Sequence, residues 1–371
     1  MKRKHSLVLI PLLGAAMTLT ACGSDSDTDS GEDTSSGTSS DSGSDSEAAG
    51  KVGVILPDTE SSVRWESADR PALEAAFKEA GVDYDIQNAE ADAERMTQIA
   101  DTMIGDGVTV LAIVNLDSES GAAIQEKAAA QGVATIDYDR LTLGGSAEYY
   151  VSFDNTVVGE LQGQGLADCL GDKDANIVYL NGSPTDNNAT LFAEGAHSVL
   201  DGMSNYSVVG EQAVPEWDNE EAATIFQQLY TAADGKVDGV LAANDGLGGA
   251  AISILEGAGQ DGKVPVTGQD ATVEGLQNVL AGTQCMTVYK SATQQAGALA
   301  EVAIALVNGE DAETTGMTVD SSDDSEVPSI LLEPQSIMKD NVGDVIDDGG
   351  QKAEDVCVGE YAAMCDEAGI S

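Results

Sequence analysis

The sequence predicts an α/β protein built from two doubly wound parallel-sheet lobes that are joined by a three-crossing hinge. From Lys51 onward, short apolar runs of strand length alternate with amphipathic stretches of helical length. Gly81, Gly107 and Gly132 each follow a helical stretch, where a left-handed C-cap is typical. The alternation restarts after Tyr149–Phe153. Because strands that alternate with helices indicate a parallel sheet covered on both faces, two such series indicate two similar lobes.

The first lobe is predicted from a series of apolar runs and the amphipathic stretches between them. Strands are expected at Val52–Leu56, Val82–Ile86, Val108–Val114 and Val133–Ile136, followed by Tyr149–Phe153. Helices are expected at Pro71–Ala80, Ala93–Ile104 and Gly121–Ala130. In these helical stretches, apolar residues recur three and four positions apart, which is the spacing of one buried helix face.

The second lobe is predicted from the same alternation in the residues that follow. Strands are expected at Asn176–Leu180, Ser207–Gly210, Val237–Ala242, Val264–Thr267 and Met286–Tyr289. A long helical run, an apolar strand and a short terminal helix are expected at Ser291–Asn308, at Ser329–Leu332 and from Asp355 onward. The polar, acidic stretch Asp320–Glu326 is interpreted as a surface connection.

Residues 1–21 have the pattern of a targeting segment, a lipoprotein signal peptide. Lys2, Arg3 and Lys4 form a basic start, and Leu7–Leu13 forms an apolar run too short to span a bilayer. Leu19–Cys22 reads Leu-Thr-Ala-Cys, which resembles the lipobox of bacterial lipoproteins. Cys22 is therefore expected to be the lipidated N-terminus of the mature chain. A plain signal peptide that ends near a cysteine is the alternative.

Residues 22–50 are expected to form a disordered acidic tether. Gly23–Gly50 contains eight acidic residues, no basic residue and almost nothing apolar. Such a segment repels itself and cannot bury a core. An anchor followed by a tether predicts a folded body that is lipid-anchored to the cell membrane on the extracytoplasmic face. We expect this body to be a monomer.

The charge of the chain excludes one class of partner. Sixteen Lys and Arg stand against 65 Asp and Glu, a formal net charge of −49. Phosphate backbones would be repelled, so no nucleic acid partner is expected. No cofactor is expected. A metal site is not expected either, because the mature chain has one histidine, His197, and no cysteines at the CxxC spacing of a zinc site.

Four cysteines besides Cys22 suit disulfides in an oxidising compartment, and three pairings are possible. Cys357 and Cys365 are close in sequence and flank the start of the terminal helix, so this pair is favoured. Cys169 and Cys285, both in the second lobe, would form the other pair. In one continuous helix Cys357 and Cys365 would lie about 12 Å apart and could not join, which is the weakness of the first pair.

The candidate site is predicted from the carboxyl ends of the strands, where parallel α/β sheets bind their ligands. Polar and aromatic residues follow the predicted strands of both lobes: Arg64, Trp65, Asp139, Arg140, Asp186, Asn188, Trp217, Asn244, Asp270 and Lys290. Both tryptophans of the chain belong to this set. Flat aromatic faces stack on the C–H face of a sugar ring, while carboxylate, amide and cationic side chains satisfy its hydroxyls.

A dinucleotide site is the first alternative. Gly246–Ala251 follows a predicted strand and opens a helix, and Asp270 lies about twenty residues further on, which is the outline of a dinucleotide fingerprint. However, Asn244 and Asp245 occupy the place where the tight turn should begin, and Asp245 would face a pyrophosphate with like charge. An oxidoreductase is therefore disfavoured.

A glycoside hydrolase is the second alternative, because Asp139 and Asp270 could serve as paired carboxylates. Each carboxylate has a cationic neighbour in the predicted site, Arg140 or Lys290, which would lower its pKa. The general acid of a hydrolase needs a raised pKa. Binding without catalysis is therefore favoured, and the chain is expected not to be an enzyme.

From about Lys51 to Gly350 the chain resembles the xylose-binding proteins of bacterial ABC importers, which have the type I periplasmic binding protein fold. The resemblance is carried by the segments VRWESADR, TIDYDRL, YVSFDNTVVGELQ, NGSPTDNNATLF, AANDGLGGAAI, TGQDATVEGL, GTQCMTVYK and VPSILLEP. It implies sugar contacts from Arg64, Asp139, Arg140, Asn188, Asn244, Asp270 and Lys290, with Trp65 and Trp217 as aromatic walls and Asp186 as a further contact. The acidic tether, the extra cysteines and the tail after Gly350 depart from the pattern of the family.

The resemblance also implies a function. The chain would be the extracytoplasmic binding component of an ABC sugar importer, with permease subunits as partners and a monosaccharide, first of all D-xylose, as ligand. Glucose, galactose or arabinose are alternative ligands. A sugar sensor that reports to a chemotaxis or kinase receptor is an alternative role.

A hinge between the lobes is expected to close around the sugar. The chain would cross between lobes near Phe153–Asn155, near Thr287–Lys290 and near Asp320–Val327. The first lobe would then comprise residues 51–153 and 288–320, and the second lobe residues 154–287 and 321–371.

Overall fold

Two α/β lobes make up the folded body. The computed structural model describes residues 50–59 and 61–370, which belong to one compact unit. The predicted signal peptide, the lipidation site Cys22 and the tether up to residue 49 lie outside the described residues.

The strands of the described residues are numbered along the chain. They are β1 (Lys51–Leu56), β2 (Asp83–Asn88), β3 (Val110–Ile113), β4 (Ala134–Tyr138), β5 (Tyr149–Phe153), β6 (Ala175–Asn181), β7 (Tyr206–Ala213), β8 (Gly239–Ala242), β9 (Thr287–Tyr289), β10 (Gly316–Val319), β11 (Glu326–Leu332) and β12 (Gln335–Ile337).

The helices are numbered in the same way. They are α1 (Arg70–Ala80), α2 (Ala93–Gly105), α3 (Ser118–Ala130), α4 (Asn155–Leu170), α5 (Asn187–Leu200), α6 (Asn219–Ala232), α7 (Asp245–Gly257), α8 (Val273–Ala281), α9 (Ala292–Val307), α10 (Val342–Asp347), α11 (Ala353–Val356) and α12 (Tyr361–Ala368). A π-helical turn (Trp65–Asp69) precedes α1, and a 3₁₀ turn (Pro215–Trp217) precedes α6. Across residues 50–59 and 61–370, no helix has the length and apolar character needed to cross a membrane.

The first lobe is built, within the described residues, on a seven-stranded sheet in the order β10-β11-β5-β4-β3-β1-β2. Neighbouring strands are parallel except β10 and β11, which are antiparallel. Helices α1 and α9 cover one face, where Phe77 and Leu299 are buried, and α2 and α3 cover the other, where Met103 and Ile124 are buried. Both faces are covered, as the alternation of strands and helices predicts.

The second lobe has a parallel sheet in the order β7-β6-β8. Helices α4 and α5 cover one face and α6 and α7 the other, around the buried residues Tyr179 and Phe226. Strands β9 and β12 form a separate antiparallel pair, and α8, α10 and α12 pack beside it around Leu276 and Val345. The prediction of a doubly wound lobe is therefore confirmed.

Three glycines end the first helices as predicted. Gly81, Gly107 and Gly132 have φ angles of 68°, 85° and 73°, in the left-handed region that favours glycine. A Cβ added to any of them would meet no atom within 4 Å. Their requirement for glycine therefore comes from the backbone angle and not from lack of space.

The strand predicted at Val264–Thr267 is wrong. Only Val266 pairs with the sheet, through one parallel bridge to Val240. Beyond it, the hydroxyl of Thr267 accepts from the N–H of Ala242 at 2.9 Å and lies 3.0 Å from the carbonyl oxygen of Ala242. The Thr267 side chain thus takes the place of backbone hydrogen bonds to Ala242 in β8.

The third crossing between lobes differs from its predicted place near Asp320–Val327. Strand β11 pairs in parallel with β5 in the first lobe, and β12 pairs with β9 in the second. The chain therefore crosses at Glu333–Pro334, and residues 326–332, expected in the second lobe, belong to the sheet of the first. The acidic stretch after Asp320 is the turn between the antiparallel strands β10 and β11. The second crossing lies at Lys290–Ser291, between β9 and α9.

Both predicted disulfides are present, Cys169–Cys285 and Cys357–Cys365. The terminal helix expected from Asp355 is interrupted, because α11 ends at Val356 and α12 begins at Tyr361. This break brings the Cα atoms of Cys357 and Cys365 to 5.8 Å. The geometric objection to this pair applied only to a continuous helix.

Candidate functional site

All ten residues predicted at the strand ends line one cavity between the two lobes. They are Arg64, Trp65, Asp139, Arg140, Asp186, Asn188, Trp217, Asn244, Asp270 and Lys290. The empty space among these residues measures about 340 Å³, which includes space open to solvent. Polar and aromatic side chains from both lobes thus converge at the carboxyl ends of the parallel strands.

Asp139 is the centre of the first lobe's side of the cavity. Its φ of 65° places a non-glycine residue in the left-handed region. This turn is held from both lobes, because the Asp139 carbonyl accepts hydrogen bonds from the hydroxyl of Ser152 in the first lobe at 2.7 Å and from Asn188 Nδ2 in the second lobe at 3.0 Å. The Asp139 carboxylate accepts from Arg64 Nη1 at 3.3 Å and Gln295 Nε2 at 3.2 Å.

The charge of Asp139 is set by the cations around it. Burial alone would raise the pKa of this carboxyl, but Lys290, Arg64 and Arg140 outweigh burial and lower the pKa. Asp139 is therefore held as an anion, which can accept hydrogen bonds from a ligand. A glycosidase acid would need the opposite shift of its pKa.

Arg64 is fixed by a second carboxylate behind the cavity. Its guanidinium binds Asp69 through two nitrogens, Nε at 2.9 Å and Nη2 at 2.7 Å. Nη2 also donates to Gln295 Oε1 at 2.7 Å. The guanidinium lies 4.6 Å from the centre of the Trp65 ring, within range of a cation–π contact. Asp69, at the end of the π-helical turn, thus orients Arg64.

Asp186 joins the lobes on the opposite side of the cavity. Its Oδ2 accepts from the indole Nε1 of Trp217 at 3.2 Å and lies 3.0 Å from Arg140 Nε. The distance to Arg140 is that of an ion pair, but Nε is not aligned for a hydrogen bond and has no hydrogen-bond partner among the described residues. Arg140 Nη1 donates to the carbonyl of Asn115 at 3.1 Å.

Trp217 has a left-handed backbone conformation, and its ring lies against Gly182 and Phe192. Its φ is 59°. A Cβ added to Gly182 would lie 2.0 Å from the Trp217 ring, so glycine is needed there for the ring to occupy its place. The centre of the Phe192 ring lies 6.4 Å away in an edge-on arrangement. The aromatic wall therefore contains Phe192 as well as the two tryptophans.

Asn244, Asp270 and Lys290 form the second lobe's remaining side. Asn244 caps α7, since its Oδ1 accepts from the N–H of Leu247 at 2.9 Å. Asp270 has a φ of 92°, and its Oδ1 lies 3.7 Å from Lys290 Nζ. Lys290 Nζ also lies 5.5 Å from the centre of the Phe192 ring. These groups offer a ligand both donors and acceptors.

Four further residues line the cavity that the sequence prediction did not include: Ser61, Ser62, Phe192 and Gln269. Phe192 lies four residues after Asn188 in α5, so helical spacing could have found it. Gln269 directly precedes Asp270, and its buried Oε1 has no hydrogen-bond partner among the described residues. The two serines lie in the loop after β1, where the sequence gives no comparable signal.

The lobes touch each other across the cavity in this structure. Asn188 Nδ2 reaches Asp139 Oδ1 at 3.2 Å, and Ser62 Oγ reaches Asp270 Oδ2 at 3.3 Å. Asn244 Nδ2 lies 3.4 Å from the carbonyl oxygen of Ser61. Together with the Arg140–Asp186 ion pair, these contacts describe a cleft with its two sides in contact.

The glycines of the dinucleotide outline have packing reasons. A Cβ on Gly246 would lie 2.5 Å from the Asn219 side chain, and a Cβ on Gly248 would lie 2.9 Å from the carbonyl of Thr267. Within the described residues, no group of three or more His, Cys, Asp and Glu side chains could hold a metal ion.

The comparisons with known proteins agree with the fold and the cleft. Residues 52–311 match the periplasmic binding protein domain. The chain is 36% identical over 310 residues to the D-xylose-binding periplasmic protein of Escherichia coli (strain K12), covering 82% of this chain and 92% of that protein. It is 34% identical over 321 residues to a multiple sugar-binding periplasmic receptor of Rhizobium radiobacter, covering 81% and 90%.

A solved structure is similar over the same region. The carbohydrate transporter solute binding protein of Chloroflexus aurantiacus, in complex with D-glucose, aligns with a TM-score of 0.76 at 28% identity, covering 82% of this chain and 97% of that chain. Such proteins bind a substrate for transport and are not enzymes, which confirms the prediction of binding without catalysis. The chain belongs to the periplasmic binding protein family and has its type I fold.

Proposed function

We propose that this protein is the extracytoplasmic substrate-binding component of an ABC sugar importer and that its ligand is a monosaccharide, with D-xylose preferred. The observation that carries the proposal is the convergence of ten polar and aromatic side chains on one cavity between the lobes. D-xylose is the ligand in the name of the relative from Escherichia coli.

The charges of the cavity favour a neutral ligand. Three cationic residues line it, Arg64, Arg140 and Lys290, and so do three carboxylates, Asp139, Asp186 and Asp270. Their formal charges cancel, so neither an anion nor a cation gains from the sum. Each sugar hydroxyl both donates and accepts a hydrogen bond, and this mixture of donors and acceptors suits it.

The aromatic side chains favour a ring with an apolar face. Trp65, Trp217 and Phe192 line the same cavity as the charged groups. A pyranose presents C–H groups on its faces and hydroxyls around its rim, which matches this division.

A thermal-shift panel tests the ligand. We expect D-xylose to raise the melting temperature most and glucose to be second, since stabilisation by a ligand follows its affinity. Asp270→Ala should lose the shift and keep its unliganded fold. A largest shift with ribose, maltose or an amino acid would overturn the proposed ligand.

Glucose, galactose or arabinose is the alternative ligand. The similar structure from Chloroflexus aurantiacus holds D-glucose, which favours this alternative. Xylose and glucose differ by one hydroxymethyl group, so an apolar wall near C5 would exclude glucose, and Trp65 and Trp217 are large enough to build it. Titration calorimetry with both sugars distinguishes the cases, because a tight wall predicts a much lower affinity for glucose.

A sensory role is the alternative to import. The similar protein of Rhizobium radiobacter is described as a receptor, which favours it. The fold and the site would be the same in both roles. Genes for a permease and an ATPase beside this gene would support import, whereas a kinase or chemotaxis receptor gene would support sensing.

The proposed location is the outer face of the cell membrane, with a monomeric body held through a lipid on Cys22. The support is the lipobox-like sequence and the acidic segment that follows it. We expect a radioactive fatty acid to label the wild-type protein in cells. The Cys22→Ser variant should not be labelled. Equal labelling of both would contradict the anchor.

A further inference from the structure

Asp245 is a buried carboxylate that lies behind the cavity and does not line it. It follows the site residue Asn244 at the start of α7, and only 4% of it is exposed. The sequence placed Asp245 in a dinucleotide outline, and binding of a neutral sugar gives it no direct role. Its contacts indicate what it does instead.

Four hydrogen bonds converge on this carboxylate. Oδ1 accepts from Gln284 Nε2 at 2.8 Å and from the Thr287 hydroxyl at 2.8 Å. Oδ2 accepts from the Thr272 N–H at 2.8 Å and from the Thr272 hydroxyl at 3.1 Å. Hydrogen bonds to a charged group are stronger than those between neutral groups. Four of them therefore fix the Asp245 carboxylate and its donors relative to one another.

These partners belong to the segments that carry the site. Thr272 lies two residues after Asp270, and Thr287 lies three residues before Lys290. The Thr287 hydroxyl also accepts from the N–H of Ala271 at 3.3 Å. Through two threonines, Asp245 is thus connected to both of these site segments, and it is itself the neighbour of Asn244.

We propose that Asp245 is a positioning residue that holds Asn244, Asp270 and Lys290 in their places from behind the cavity. The proposal rests on the proposed function, since it assigns these three residues to the sugar. It explains why three separate segments of the second lobe meet in a fixed arrangement.

The backbone of the Asp270 segment needs such support. Asp270 and Ala271 have φ angles of 92° and 48°, two successive non-glycine residues in the left-handed region. Such conformations persist only where the surroundings hold them. The hydrogen bonds from Thr272 to Asp245 begin directly after this strained pair.

Two glycines make room for the carboxylate. A Cβ on Gly268 or on Gly275 would lie 2.1 Å from an Asp245 oxygen. Both are closer than any Cβ contact could be. The glycines before and after the Asp270 segment therefore form a close cage around Asp245, and a longer acidic side chain would not fit there.

The ionised form of Asp245 is the one that can accept all four hydrogen bonds. Burial raises the pKa of Asp245 to about 7, and the hydrogen bonds from Gln284, Thr272 and Thr287 oppose this rise. The negative charge of Asp270 adds to the rise in the pKa of Asp245. Experiments on its positioning role therefore belong at about pH 8, above this pKa.

Hydrogen exchange on the ligand-free full chain at about pH 8 tests the proposal without a sugar. Wild type is compared with Asp245→Asn and with the control Asp218→Asn, which changes a helix cap of α6 in the same lobe. In Asp245→Asn, peptides covering residues 268–275 and 285–291 should exchange at least about tenfold faster, with first-lobe peptides unchanged. The control should match wild type. Wild-type exchange of these peptides in Asp245→Asn would overturn the proposal.

Thr287→Val is the second variant, in case Asp245→Asn does not fold. It removes one donor to Asp245 and the acceptor of Ala271, and nearly keeps the side-chain shape. We expect faster exchange of residues 268–275 here as well. Unchanged exchange of these residues in Thr287→Val would count against the proposal in the same way.

Titration calorimetry with D-xylose then separates positioning from stability. At a temperature where each variant is folded, Asp245→Asn should bind at least about tenfold more weakly, and Asp218→Asn should bind like wild type. Wild-type affinity in folded Asp245→Asn would overturn the positioning role. A wild-type chain that binds no sugar would overturn the proposed function instead, and hydrogen exchange would still decide whether Asp245 holds the segments.

Discussion

Single residues at the back of the cavity determine where its lining side chains can lie. Gly182 is the plainest example, because the Trp217 ring occupies the space in which any Cβ at residue 182 would lie. Trp217 also has a left-handed φ of 59° and donates its indole hydrogen to Asp186. The aromatic wall therefore depends on a residue that a ligand never touches.

We expect Gly182→Ala to displace Trp217 and to weaken sugar binding by roughly 1–3 kcal/mol, the scale for losing a buried aromatic contact. Titration calorimetry measures the loss, and the tryptophan fluorescence spectrum should change with it. Gly202→Ala is the matched control in the same lobe, since its Cβ would meet only Val199 O, at 3.9 Å. Wild-type affinity in Gly182→Ala would show that the wall does not need this glycine.

Asp137 is another buried carboxyl of the first lobe. It accepts hydrogen bonds from Gln125 and from the N–H and hydroxyl of Thr142, at 2.7–2.8 Å. Burial raises its pKa from 3.8 to about 7. Between these two values the folded protein keeps a proton that the unfolded chain has released. The contribution of Asp137 to the free energy of unfolding therefore falls as the pH rises from about 4 to 7.

In Asp137→Asn this dependence should be absent. Urea unfolding measures the free energy of unfolding at about pH 5 and at about pH 7.5. Between these two pH values it should fall by roughly 1–4 kcal/mol more in wild type than in Asp137→Asn. Asp218→Asn, at an exposed helix cap, should keep the wild-type decrease. Equal decreases in wild type and Asp137→Asn would contradict the assignment.

The site residues were predictable to the extent that they follow strands. Asp139 and Asn244 come directly after buried apolar runs, and parallel strands bring such positions together. Phe192 lies inside a helix, where an apolar residue is read as core. Only its helical spacing from Asn188 could have marked Phe192 as a site residue. The positioning role of Asp245 could not be identified, because it depends on Thr272 and Thr287, which are distant in sequence and close only in the fold.

At the scale of elements, local pattern predicted which segments form strands better than it predicted their partners. Strand β11 was found as an apolar run, but its pairing with β5 depends on the tertiary fold. The acidic turn before it has the composition of an interlobe linker. A hairpin turn and a linker are both polar and exposed, so composition does not distinguish them.

The two disulfides should differ in what they contribute to stability. Cys169 and Cys285 are 116 residues apart, and Cys357 and Cys365 are 8 apart. The loss of chain entropy in the unfolded state predicts about 4–5 kcal/mol for the long loop and about 2–3 kcal/mol for the short one. Cys169→Ala with Cys285→Ala should therefore lower the unfolding midpoint more than Cys357→Ala with Cys365→Ala.

Denaturant unfolding without a reductant makes this comparison, and a reductant should bring wild type below both double variants. The short disulfide closes a turn in the C-terminal segment, which packs on α8. If Cys357→Ala with Cys365→Ala had the lower unfolding midpoint, the packing of the C-terminal segment on α8 would contribute more to stability than the entropy of the long loop.

At the scale of the whole molecule, the lobes meet through polar contacts that surround the cavity. Asn188 and Asp139, Arg140 and Asp186, and Ser62 and Asp270 each pair one lobe with the other. In the part of the chain that the structure describes, three short segments connect the lobes, at Phe153–Asn155, Lys290–Ser291 and Glu333–Pro334. Few connections and a polar interface favour movement about a hinge.

We predict that a saturating sugar compacts the protein by shifting it toward the form in which these contacts are made. Small-angle scattering should show a smaller radius of gyration with D-xylose than without it. A double variant, Asp186→Ala with Asn188→Ala, lacks two of the cross-lobe contacts and should compact less. A sugar can shift this equilibrium only by the difference in its affinity for the two forms, and it touches both lobes only when the cleft is closed. An unchanged scattering profile at saturating sugar would contradict the prediction that the sugar closes the cleft.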